Sequence, residues 1–73
     1  MNKYNWATVP PEVNWIATDE DGWAYGFIGQ PKLRESNGFW SPVDFAVSIP
    51  KEKNSFKGDW RESLEKRPEA GDQ

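Results

Sequence analysis

Trp15-Ile16-Ala17-Thr18-Asp19-Glu20-Asp21-Gly22-Trp23-Ala24-Tyr25-Gly26-Phe27-Ile28 is the stretch that decides the fold. Two runs of aromatic and apolar residues flank an acidic turn that ends in glycine, the pattern of a β-hairpin. The three-residue connection Glu20-Asp21-Gly22 suits a type I turn with Gly22 left-handed in a bulge. In that register Trp15 faces Phe27 and Ala17 faces Tyr25. Alternation puts Trp15, Ala17, Trp23, Tyr25 and Phe27 on one face and Ile16, Ala24, Gly26 and Ile28 on the other. Gly26 weakens its strand but admits a close neighbour.

Upstream, Pro10-Pro11 bars regular helix, and Trp6 and Val9 are expected to fold back onto the core as an anchor. Downstream, residues 29 to 37 read as a polar loop carrying Lys32 and Arg34, and Gly38-Phe39-Trp40 opens a third extended piece. Asp44-Phe45-Ala46-Val47-Ser48-Ile49 reads as a half-buried strand closed by Pro50, followed by a polar, basic loop to Gly58. Asp59-Trp60-Arg61-Glu62-Ser63-Leu64-Glu65-Lys66-Arg67 is the helical candidate: Asp59 is a cap, Glu62 completes a box three residues on, and Pro68 is a stop. Trp60 and Leu64, four apart, would dock on the sheet. Arg67 would sit at the helix C-terminus, where a cation is favoured. The expected fold is therefore α+β, a small three- to four-stranded antiparallel curled sheet with one short C-terminal helix. Residues 1–68 form one compact domain, 69–73 a disordered tail, and the expected core is Trp15, Phe27, Val47, Ile49, Trp60 and Leu64.

The 73 residues support one domain of marginal stability. There is no cysteine and no histidine, which removes disulfides, thiolate chemistry and the usual general base. Catalysis would have to rest on a carboxylate pair or a tuned lysine. Asp19 and Asp21, however, are explained by the turn they build, so a non-enzymatic protein is expected. Asp19-x-Asp21-Gly22 also fails as a calcium loop, which needs glycine at its sixth position and glutamate at its twelfth; no metal or other cofactor is expected. No apolar run approaches the ~20 residues that span a bilayer, and the N-terminus lacks a signal-peptide core, so a cytosolic protein without membrane contact is expected. A net charge of -3 argues against stable binding to nucleic-acid backbone.

Five tryptophans, four phenylalanines and two tyrosines are the informative surplus. A thin sheet with one helix covers a single face well, so some rings should stay at a surface or subunit boundary, where exposed aromatics mark binding sites. Positive charge gathers between residues 31 and 58, where five basic residues outnumber three acidic ones. Lys32, Arg34, Lys51, Lys53 and Lys57 are available to hold a phosphate, and aromatic faces stack on nucleobases. The expected ligand site is Trp23, Tyr25, Lys32, Arg34, Phe39, Trp40, Phe56 and Lys57, completed at the interface of a homo-oligomer because so short a chain hardly encloses a pocket alone.

Trp15-Ile16-Ala17-Thr18-Asp19-Glu20-Asp21-Gly22, then Pro31, Trp40 and the closing Trp60-Arg61-Glu62-Ser63-Leu64-Glu65-Lys66-Arg67-Pro68, resembles a set of small bacteriophage-encoded accessory proteins of unassigned function. The resemblance runs from about Trp6 to Pro68, and Trp-x-x-Ser-Leu-x-x-Arg-Pro is its most specific part. It implies a protein acting in the cytoplasm of an infected bacterium and carries over no catalytic residue. The expected role is counter-defence by sequestering a nucleotide-like immune signal. The alternative is inhibition of a host enzyme or defence factor through an aromatic hot spot and an acidic surface that includes Glu65, Glu69 and Asp72.

Overall fold

A computed structural model describes residues 2–68. The central hairpin forms in the expected register. Strand β1 (Trp15–Thr18) runs antiparallel to β2 (Ala24–Phe27), with Trp15 opposite Phe27 and Ala17 opposite Tyr25. Gly22 closes the turn at φ +90°, a conformation that L side chains rarely adopt. Asp19 N–H donates to Trp23 O at 2.8 Å, Gly22 N–H to Asp19 O at 2.9 Å, and Trp23 N–H to the Asp21 carboxylate at 3.0 Å.

Four further strands complete the architecture. β3 (Lys32–Arg34) and β4 (Phe39–Ser41) form a separate two-stranded antiparallel sheet. β5 (Ala46–Ile49) pairs with the far side of β2, and β6 (Glu65–Lys66) with the far side of β1, giving the order β5-β2-β1-β6. The segment expected as a polar loop after Gly29 thus contains β3. Its connection to β4 is a 3-10 turn, Glu35–Asn37, ended by Gly38 at φ +81°.

The expected C-terminal helix does not form. The protein is mainly β, with six strands in two antiparallel sheets and only 3-10 turns among the described residues. Asp59 does cap, accepting from Arg61 N–H at 3.0 Å, but the turn it starts covers only Trp60–Glu62. A nine-residue helix is marginal in water, while the open edge of β1 offers backbone partners. Ser63 takes that edge first. Its hydroxyl oxygen accepts from Thr18 N–H at 2.7 Å and stands 3.1 Å from Thr18 O and 2.7 Å from Trp60 O. Glu65 and Lys66 then pair with Ile16 and Trp15, and Arg67 N–H donates to Asn14 O at 2.7 Å. Arg67 is accordingly no helix cap: its guanidinium donates to Val13 O and Pro10 O and lies 4.9 Å from the Trp6 ring centroid.

Both faces of the sheet are covered, which corrects the expectation of one naked face. On the first, Ile16, Ala24 and Ile49 pack with Tyr4, Trp6 and Val13 from the N-terminal segment, and Val9 and Phe56 close the margin. Trp6 is thus the anchor the sequence suggests. Its indole N–H donates to Glu65 Oε1 at 2.8 Å, which also makes Glu65 a structural clasp. On the second face Ala17, Phe27 and Trp40 are buried, with Trp15, Tyr25, Trp60 and Leu64 half-buried around them. Of the expected core, Phe27 and Ile49 are buried, whereas Trp15, Val47, Trp60 and Leu64 are only half-buried. The expected tail at 69–73 lies outside the described residues.

Gly26 is a point of close approach between the sheet and the N-terminal segment on the first face. A Cβ placed there would stand 2.7 Å from Val13 Cγ1 and 3.1 Å from Cγ2. Val13 is β-branched and has little freedom to move aside. Gly26→Ala should lower stability in urea unfolding by about 1–3 kcal/mol, the usual cost of overpacking. Adding Val13→Ala should recover part of the loss, as contacting residues are non-additive. A fully additive double variant would contradict this packing.

Candidate functional site

A cleft of about 380 Å³ lies between the hairpin turn and the segment from Lys51 to Trp60. One wall is Thr18, Asp19, Glu20 and Gly22; the other carries Lys51, Asn54, Phe56, Lys57 and Trp60. Asn54 holds the walls together. Its side-chain N–H₂ donates to Gly22 O at 3.1 Å and reaches Thr18 Oγ1 at 3.4 Å, while its Oδ1 accepts from Phe56 N–H at 3.0 Å. Behind this contact, Tyr4 and Thr18 share a buried hydroxyl pair at 2.7 Å, and the Tyr4 ring stacks on Phe56 with centroids 6.1 Å apart. Burial pushes the Tyr4 hydroxyl pKa above its ordinary value, so it stays protonated. Tyr4, Thr18 and Asn54 are thus linked by hydrogen bonds beside the Phe56 ring.

Three acidic residues line the cleft, of which Asp19 and Asp59 are engaged and the third is Glu20. Asp59 is bound by the Arg61 guanidinium at 2.6 Å, and the same guanidinium holds Glu35 at 2.8 Å. Hydrogen bonds from Arg61 bring the Asp59 pKa down to about 2. Asp19 accepts from Trp40 N–H at 2.8 Å, and burial raises its pKa despite that bond. Lys51 and Lys57 make no salt bridge among the described residues. Lys51 Nζ lies 5.5 Å from the Trp23 ring centroid, within cation–π range. Two lysines, a carboxamide and the Phe56 and Trp60 rings therefore line one concavity together with Asp19, Glu20 and Asp59. Among the described residues no three acidic side chains gather as metal ligands.

Only part of the expected ligand set meets here. Phe56 and Lys57 line the cleft, and Trp23, 39% exposed, borders it through Lys51. Tyr25 is half-buried in the second core cluster. Trp40, expected at a surface, is buried: its indole N–H donates to Trp60 O at 3.2 Å, because the β3–β4 sheet turns Trp40 onto Phe27. Lys32, Arg34 and Phe39 stand exposed on that second sheet and do not line the cleft, with Arg34 directly opposite Phe39. Asn54 and Trp60 were not expected in a site. A turn-forming Asn between basic residues was the available signal for the first, and nothing local marked the second. The chain matches no family model, no curated protein and no solved structure.

The raised Asp19 pKa has a signed consequence. A carboxyl that holds its proton more tightly when folded penalises the fold at neutral pH, and the penalty disappears as pH falls through the raised value to the unfolded one. Asp19→Asn keeps an acceptor for Trp40 N–H. The variant should be more stable than the parent at pH 7, with a difference that shrinks towards zero on acidification. Urea unfolding at several pH values checks this, and a difference that grows on acidification would contradict it.

Proposed function

We propose that the protein is a non-enzymatic binding module that captures a nucleotide-like anion in the cleft beside the hairpin turn. The observation that carries this reading is the convergence of Lys51 and Lys57 with the Phe56 and Trp60 rings around about 380 Å³, within the size range of small-molecule sites. The rings offer faces to a base, at about 1–3 kcal/mol per stacked base. The ammonium groups offer charge-assisted hydrogen bonds to phosphate. The resemblance to small phage-encoded proteins supports placing this capture in the cytoplasm of an infected bacterium, as counter-defence against a nucleotide immune signal.

A second reading, inhibition of a host protein, is favoured by one observation: Leu33 and Phe39 are each 39% exposed on the second sheet. Of its acidic component, Glu65 is occupied by Trp6 and by Lys3 N–H; Glu69 and Asp72 lie outside the described residues.

Calorimetry of the full chain against mononucleotides, dinucleotides and cyclic nucleotides tests the first reading. Binding should weaken about tenfold or more in Lys51→Glu and in Lys57→Glu, the loss of roughly one charge-assisted contact each. Lys32→Glu and Arg34→Glu should leave it within about twofold, beyond a screened long-range term. Absence of heat with every nucleotide, or sensitivity confined to Lys32 and Arg34, would overturn this reading. A host protein captured by the parent and lost with Leu33→Ser/Phe39→Ser would support the second.

A further inference from the structure

The two edges of the four-stranded sheet are built differently. β6 is two residues long, both charged, and Glu65 is tied down by the N-terminal segment. Short, charged edges resist pairing with other chains. β5 is four residues long, Ala46-Val47-Ser48-Ile49, and carries neither charge nor proline; Ala46 and Ser48 are exposed. None of the protections seen on β6 is present on it.

The direction of its free backbone groups follows from the ladder. Asp19 N–H bonds to Trp23 O, so Ala17 and Tyr25, two residues further along each strand, also turn their groups to one another. Ala24 and Gly26 then turn theirs towards β5, where their partners Ile49 and Val47 answer. Ala46 and Ser48 are left with N–H and C=O pointing away from the sheet.

We propose that β5 pairs with β5 of a second copy of this chain, antiparallel about a two-fold axis at Val47. That register is the one in which the two outward-facing residues meet: Ala46 of each copy lies opposite Ser48 of the other, and the four residues exchange backbone bonds around the axis. Phe45, 49% exposed and in step with Val47 and Ile49, comes opposite Ile49 of the second copy. There a groove of about 60 Å³, lined by Val9, Val13, Val47, Ile49 and Pro50, is available to its ring. The contact is self-complementary, as a two-fold interface requires, and small enough to be concentration-dependent. It does not rest on the ligand proposed for the cleft.

Sedimentation velocity of the full chain, from about 10 µM to about 1 mM, tests it over the range expected of a weak interface. The expected result is a shift towards twice the 8.4 kDa chain mass as concentration rises. Ser48→Pro removes an outward N–H and no bond to β2, so it should abolish the shift while amide NMR dispersion persists. Ser48→Lys and Phe45→Ser, which remove no backbone donor, should each weaken association at least tenfold and decide the matter where the proline variant does not fold. A single 8.4 kDa species at every concentration would overturn the proposal, as would a dimer unchanged by Ser48→Lys and Phe45→Ser.

Discussion

The turn at Asp19–Gly22 is the constraint on which the rest depends. Because Gly22 takes φ +90° and Asp19 closes on Trp23, the register of β1 against β2 is fixed. Side chains alternate across a sheet, so a slip of one residue would exchange the two faces. With the register set, Ile16, Ala24 and Gly26 meet the N-terminal segment while Ala17 and Phe27 meet Trp40 and its neighbours. The same turn supplies one wall of the cleft, and the Asp19 carboxylate reaches Trp40 N–H to fasten the second sheet. Fold and candidate site therefore share a few backbone atoms.

Around that hairpin the chain stabilises itself without a helix. Irregular segments at both ends do the covering, and side chains take over pairing where the backbone does not. Ser63 serves the edge of β1, Glu65 clasps the Trp6 indole, and Arg67 serves the carbonyls of Val13 and Pro10. Leaving Thr18 N–H without Ser63 would bury an unpaired donor, a cost of about 1–3 kcal/mol in general. The aromatic surplus is mostly absorbed by this arrangement: Trp6, Trp40 and Phe27 are buried, and only Trp23, Phe39 and Phe45 are substantially exposed among the described rings.

The hairpin was legible because its signals are local: turn chemistry at Asp19–Gly22, alternation on either side, and a glycine at the close approach. What was hidden came from long-range competition. Asp59 carries the same capping signal for a single 3-10 turn as for a helix, and the choice was made by the edge of β1, far away in sequence. The N-terminal segment has prolines and no periodicity, so nothing short of the fold shows that Tyr4 and Val13 cover a face. Trp40 belongs to a three-residue strand, too short for alternation to say which way it points. Of the residues that composition nominated, Phe56 and Lys57 line the cleft, whereas Lys32, Arg34 and Phe39 share their composition and not their place.

The most direct measurement is amide chemical-shift mapping of the full chain titrated with a nucleotide that gives heat in calorimetry. The account places the largest shifts on Gly22, Lys51, Asn54, Phe56, Lys57 and Trp60, around one cleft. Shifts centred instead on Lys32, Arg34 and Phe39, with the hairpin turn unmoved, would contradict it.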